Sequence, residues 1–145
     1  MENNRFKLQF LSLSQNELFA RNVLALFVLN LNPSVSELTD IKTAVSEAVT
    51  NCIVHAYPNS VGTITLDAEI VENKIHINIC DDGVGIEDVE KATMPFFTTK
   101  PDDERSGMGF TIMTSFMDSV KVESKLDGGT KIYMTKTIKA QNIGE

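Results

Sequence analysis

The chain has 145 residues, 42% of them hydrophobic and 23% charged, which suits one domain built on one core and argues against wholesale disorder or a fibrous architecture. A formal net charge of -7 disfavours direct nucleic-acid binding, because phosphate backbones are gripped by clustered Lys and Arg. Cys52 and Cys80 are too few for a disulfide framework, and no run of ~18 apolar residues marks a membrane span.

The N-terminal MENNRFKLQFLSLS alternates apolar and polar residues instead of forming a signal-peptide core, so a cytoplasmic protein without its own membrane anchor is expected. Within it Phe6, Leu8 and Phe10 predict a half-buried strand. Ser14-x-x-Glu17 has the form of a capping box and predicts a helix running to about Leu31. That helix is apolar nearly all round, through Leu18, Phe19, Val23, Leu24, Leu26, Phe27, Val28 and Leu29, so it is either sandwiched inside the core or used for self-association. Asn32-Pro33 ends it, and a second box, Ser34-x-x-Glu37, opens a helix that stops near Tyr57-Pro58. Ile64, Leu66, Ala68 and Ile70, then Ile75, Ile77 and Ile79, predict an antiparallel hairpin joined at Glu72-Asn73. After CDDGVGI and a long polar segment, Phe110, Met113, Phe116 and Met117 fit a third helix. Two last strands, 120–124 and 131–138, flank the turn Asp127-Gly128-Gly129. The whole predicts one α+β domain, residues 1–145, a two-layer sandwich with helices on one face of a mainly antiparallel sheet.

Three stretches carry chemistry. In EAVTNCIVHAY, Glu47 and Asn51 are four residues apart and share a helix face. Alone they are a solvated edge; in a nucleotide site, Asn51 offers a neutral oxygen to Mg²⁺ and Glu47 a base for an attacking hydroxyl. His55 lies on the same stripe and has no assigned role. Asp81-x-Gly83-x-Gly85 follows a strand: it is an ordinary glycine turn, or a place where a planar ligand approaches backbone while Asp81 accepts from an exocyclic amine. RSGMGF sets a glycine pair before a helix, whose first amides and dipole favour phosphate, with Lys100 and Arg105 as added cations. Neither GxxxxGK[ST] nor GxGxxG occurs.

In this order, with Gly-Gly-Thr before the last strand, EAVTNCIVHAY, DDGVGI and SGMGF resemble the N box and two glycine boxes of the ATP-binding fold shared by gyrase, heat-shock chaperones, histidine kinases and MutL (GHKL, or Bergerat, type). The resemblance spans essentially the whole chain and implies a mixed, mainly antiparallel sheet. The segment MPFFTTKPDDERSGMGFTIM further resembles the anti-sigma-F family of endospore-forming bacteria. That family likeness implies a serine protein kinase that uses Mg-ATP, yields ADP, phosphorylates an anti-anti-sigma factor and separately inhibits a sigma factor, usually as a homodimer. By position it implies Glu47 as catalytic base, Asn51 as Mg²⁺ ligand and Asp81 as the adenine-reading carboxylate. Gly83 and Gly85 would shape the adenine pocket and Thr130 would add a hydroxyl there. Thr98, Thr99, Lys100, Ser106, Gly107, Met108 and Gly109 would serve the phosphate lid, and Arg105 would face the protein partner. Cys52 and Ala56 stand where close relatives are expected to carry Ala and Gly. The rival readings are a general-stress anti-sigma kinase, a detached histidine-kinase ATP module, and a sigma-binding protein that holds ATP without catalysis.

Overall fold

The computed structural model describes residues 3–86 and 109–139. Strand β1 (Asn4–Leu11) leads into helix α1 (Gln15–Val28), a short 3-10 turn (Leu29–Leu31) and the long helix α2 (Val35–His55). The hairpin β2 (Thr63–Val71) and β3 (Lys74–Asp81) comes next; beyond residues 87–108 lie α3 (Gly109–Phe116), β4 (Ser119–Ser124) and β5 (Thr130–Thr137). The five strands form one sheet in the order β1-β2-β3-β5-β4, every neighbouring pair antiparallel.

Strict alternation decides which face of the sheet is covered. Ile64, Leu66, Ala68 and Ile70 of β2 stand in register with Ile75, Ile77, Ile79 and Asp81 of β3, and these with Thr130, Ile132 and Met134 of β5. All are buried against the helices. The intervening residues, among them Lys7, Asp67, Asn78, Tyr133 and Lys121, line up across the opposite, polar face. Helix α2 contributes Ile41, Ala44, Val45, Ala48, Val49 and Cys52, a stripe at helical spacing, and packs against both α1 and α3.

The two capping boxes expected at Ser14 and Ser34 have different outcomes. Ser34 is extended, its Oγ accepts from Glu37 N–H at 3.0 Å, and Glu37 Oε1 accepts from Ser34 N–H at 2.9 Å. Ser14 is no such cap: it already has helical backbone angles and its side chain makes no capping bond. The chain enters α1 through a tight turn in which Asn16 N–H donates to Leu13 O (2.9 Å) and Asn16 Nδ2 to Leu11 O (2.9 Å). Glu17 instead turns to Arg21, one helical turn on, at 3.4 Å.

Helix α1 is also not sandwiched. Ala20, Leu24 and Val28 are buried, while Leu18 (53% exposed), Phe19 (50%), Leu26 (68%) and Leu29 form an uncovered apolar stripe on the opposite side. One layer of helices lies on one sheet, so a helix in that layer has one face to bury and one left over.

Candidate functional site

Asp81 is the last residue of β3, opposite Ile64 on one side and Thr130 on the other, and is only 7% exposed. A carboxylate so placed needs donors, and it has them. Its Oδ1 accepts from Gly83 N–H at 2.9 Å, and the Cys52 thiol and the Thr130 N–H also favour its charged form. Burial pushes the Asp81 carboxyl above the ordinary value, these three donors pull it back, and neighbouring Asp82 adds to the rise. The same burial, with Asp81 alongside, holds the fully enclosed Cys52 thiol well above its normal range, so it stays protonated and able to donate. A carboxylate accepts about four hydrogen bonds, so Asp81 has acceptor capacity beyond the Gly83 bond, which suits an amino group.

The turn after Asp81 is fixed from two sides. Val84 N–H donates to Ala56 O (2.8 Å), just past the end of α2. From the β4–β5 hairpin, Gly129 N–H donates to Gly83 O (3.1 Å), Asp127 N–H to Val84 O (2.6 Å) and the Ile86 N–H to Ser124 Oγ (2.7 Å). These contacts account for two glycines. A Cβ on Gly83 would sit 2.1 Å from Ala56 O, and Gly85, at φ 76°, would bring one to 1.9 Å from Lys125 O. The close approach expected at this turn is thus made by the protein's own backbone. Thr130 is buried beside Asp81, and its Oγ1 shares a 2.8 Å hydrogen bond with Ser124 Oγ.

Glu47 and Asn51 occupy successive turns of α2, half-buried on the flank of its apolar stripe. Gly109 opens α3 so near to them that a Cβ there would lie 3.4 Å from Glu47 Oε2. Gly109 of α3 therefore stands beside the Glu47 carboxylate. Carboxylate and carboxamide oxygens at the mouth of a helix fit Mg²⁺, which takes one or two protein oxygens and fills its shell with water and phosphate. Among the described residues no group of three or more His, Cys, Asp or Glu gathers into another metal centre.

The fold thus brings Glu47, Asn51, Asp81, Gly83, Gly85, Gly109 and Thr130 to one end of the sheet, around the C-terminal half of α2. Thr98, Thr99, Lys100, Arg105, Ser106, Gly107 and Met108 lie outside the described residues. Sequence reasoning passed over the Cys52 donor, Ser124 and Tyr57. Cys52 sits on the apolar stripe, where a thiol reads as packing, and Ser124 is an ordinary strand end. Tyr57 reads as a helix stop, although a phenol just past a helix end carries a polar tip that must find a partner.

This arrangement defines a class. A histidine kinase-like ATPase domain matches residues 14–136. The chain is 59% identical over 136 residues to the anti-sigma F factor of Caldanaerobacter subterraneus subsp. tengcongensis, covering 94% of this chain and 95% of that one. It is 52% identical to the anti-sigma F factor of Clostridium novyi, covering 97% and 99%. Among solved structures it resembles the RsbU and RsbW domains of a Mycobacterium tuberculosis protein (TM-score 0.68, 15% identity, 98% of this chain and 34% of that one). It also resembles the catalytic domain of the histidine kinase ThkA (TM-score 0.57, 20% identity, 97% and 100%). At those identities the structures speak for the fold alone, an α+β sandwich of the GHKL type. The chain belongs to the histidine kinase-like ATPase domain family, in the group whose members are named anti-sigma F factor. No helix among the described residues is long and apolar enough to cross a membrane.

Proposed function

We propose that this protein is a cytoplasmic anti-sigma factor of the F type that binds and inhibits a sporulation sigma factor, and that it uses Mg-ATP to phosphorylate one serine of an anti-anti-sigma factor. The observation that carries the reading is the pairing of a buried carboxylate, Asp81, whose Oδ1 accepts from Gly83 N–H, with a second carboxylate, Glu47, beside Gly109 of α3. The first suits the amino group of adenine; the second suits the hydroxyl that attacks the γ-phosphorus. Relatives over nearly the full length named anti-sigma F factor supply the sigma-factor partner. The uncovered α1 stripe of Leu18, Phe19, Leu26 and Leu29 supports a homodimer. Nucleic acid is not expected to bind directly.

In the proposed reaction Asp81 anchors the adenine end and Thr130 lies beside it. Gly107, Met108 and Gly109, with Thr98, Thr99, Lys100 and Ser106, hold the phosphates, and Arg105 meets the protein partner; except for Gly109, these assignments rest on sequence resemblance. Magnesium, held through Asn51 and phosphate oxygens, would neutralise charge on the phosphates. The serine oxygen bonds to the γ-phosphorus as the bond from that phosphorus to the bridging oxygen breaks; ADP departs and the hydroxyl proton passes to Glu47. Catalysis then rests chiefly on positioning and charge.

The test is incubation with γ-labelled ATP, the candidate anti-anti-sigma protein and a Glu47→Ala control. The native protein should place acid-stable label on one serine. Glu47→Ala should bind nucleotide within a few-fold of native and transfer at least ~10²-fold more slowly, the usual contribution of a general base. Transfer by Glu47→Ala at the native rate removes Glu47 from the mechanism, and acid-labile label on histidine removes the serine-kinase reading. Competition between F-type and general-stress sigma factors decides which one is bound.

A further inference from the structure

We propose that Tyr57 is a positioning residue of the nucleotide site: its phenol oxygen holds the Asp81 turn in place against the end of the helix that carries Glu47 and Asn51. The inference rests on the reading that Asp81 recognises the adenine amino group.

Tyr57 lies two residues beyond α2. Its hydroxyl donates to Thr63 O at 2.7 Å and accepts from Asp82 N–H at 2.8 Å. Thr63 begins β2 and Asp82 directly follows β3, while the register sets Ile64 opposite Asp81. One oxygen therefore ties two adjoining strand ends together beside the buried carboxylate. The neighbouring residue, Ala56, takes Val84 N–H at 2.8 Å, so consecutive residues past the end of α2 hold amides on both sides of Gly83. The ring is located as tightly as its tip: a Cβ on Gly62 would lie 2.2 Å from Tyr57 Cε1.

Packing alone would be served as well by phenylalanine; only a phenol makes the two bonds. Burial raises the Tyr57 hydroxyl above its ordinary pKa, against the pull of the Asp82 N–H, so the oxygen keeps its proton and donates and accepts at once. With Asp82 anchored, the Asp81 backbone is fixed. Its carboxylate, held by Gly83 N–H and steadied by Thr130 and Cys52, then keeps one position before any nucleotide arrives. Such preorganisation is read as affinity and base discrimination, and turnover at saturation is unaffected.

The experiment titrates ADP, ATP and IDP against the native protein, Tyr57→Phe and Asp81→Asn, with far-UV circular dichroism melts to set a temperature at which all are folded. IDP carries a carbonyl where adenine has its amino group, so it reports the Asp81 contact. Tyr57→Phe should weaken ADP and ATP by the same factor, about three- to tenfold, the range expected from net loss of one or two hydrogen bonds. IDP should lose less, so the preference for ADP over IDP shrinks. In the serine-transfer assay KM for ATP should rise with kcat unchanged. Gly62→Ala, which keeps the hydroxyl but displaces the ring, should show the same pattern. Native ADP affinity in folded Tyr57→Phe, or equal losses for ADP and IDP, overturns the inference while leaving Asp81 in place. Native ADP affinity in Asp81→Asn overturns the adenine assignment and this inference with it.

Discussion

Gly83→Ala tests the site's geometry independently of any reaction. The new methyl would lie 2.1 Å from Ala56 O, 2.5 Å from Ala56 C and 2.6 Å from Ala56 Cβ. Carbon contacts settle near 3.5–4.0 Å, so the turn or the end of α2 must retreat by about 1 Å. Both are backbone, and no side-chain rotamer can absorb the movement. The retreat strains the Val84 N–H bond to Ala56 O (2.8 Å), the Gly129 N–H bond to Gly83 O (3.1 Å) and the Gly83 N–H bond to the Asp81 carboxylate (2.9 Å). A neutral bond contributes about 1 kcal/mol net and one to a charged group about 1.5–3 kcal/mol, so partial loss of all three, with overpacking, costs about 2–3 kcal/mol. At about 3 °C per kcal/mol for a chain of this size, the melting temperature should fall by about 6–9 °C. The sequence contains no tryptophan, so far-UV circular dichroism in a urea series is the direct assay, with labelled ADP for the pocket. Gly109→Ala is the control: among the described residues its methyl meets only Glu47 Oε2, at 3.4 Å, and stability should stay within about 0.5 kcal/mol. A Gly83→Ala protein as stable as the native one would refute the claim that this turn is seated on α2.

The other perturbations address acid response and the free face of α1. At Glu37 burial opposes ionisation, but hydrogen bonds from the Lys139 and Ser34 N–H groups and the Ser34 hydroxyl, with Lys136 nearby, bring its pKa below the ordinary 4.5. A depressed carboxyl stabilises the fold above its unfolded pKa, and the benefit is lost as pH falls through the folded value. Glu37→Gln keeps the capping-box hydrogen bonds but loses the acceptor for Lys139 N–H and the charge, so it should be less stable than native at pH 7, and the gap should narrow as pH falls through the lowered folded pKa in parallel urea titrations. A stability difference that does not change with pH would show that charge is not what Glu37 supplies. Leu26→Glu, at a residue 68% exposed, should leave the protein folded and shift the proposed dimer to monomer in sedimentation velocity. An undisturbed dimer would move the interface elsewhere.

What could be seen in the sequence was local. The period of two in Ile64–Ile70 and Ile75–Ile79, the Ser34 box and the i,i+4 spacing of Glu47 and Asn51 each depend on residues a few positions apart, and each stands in the structure. Ser14-x-x-Glu17 has the same pattern as Ser34-x-x-Glu37 and fails because the chain enters α1 from a strand through a tight turn in which the Leu13 and Ser14 carbonyls take the Asn16 and Glu17 N–H groups. The local pattern is necessary for the box; the approach of the preceding chain decides it. Helix α1 shows the same limit in another form, since an apolar circumference cannot say how many layers a fold has.

The site illustrates the converse. Asp81 and the two glycines were visible, but the reasons for them are distant: Ala56 O lies against Gly83, Lys125 O against Gly85, and Cys52, Thr130 and Tyr57 hold the carboxylate and its turn. Thr130 reaches the turn because β3 pairs with β5, some fifty residues later, in a register that sets it opposite Asp81, while Cys52, Ala56 and Tyr57 reach it from the end of α2. Under the proposed function, affinity is distributed over residues that never touch the nucleotide. On that reading, variants at Tyr57, Gly62 and Gly129 should resemble Asp81 variants in binding while leaving the proposed Glu47-dependent transfer intact at saturation. A Cβ on Gly129, at φ 74°, would fall 2.3 Å from Asp81 O, which makes that position the most severe case of the three.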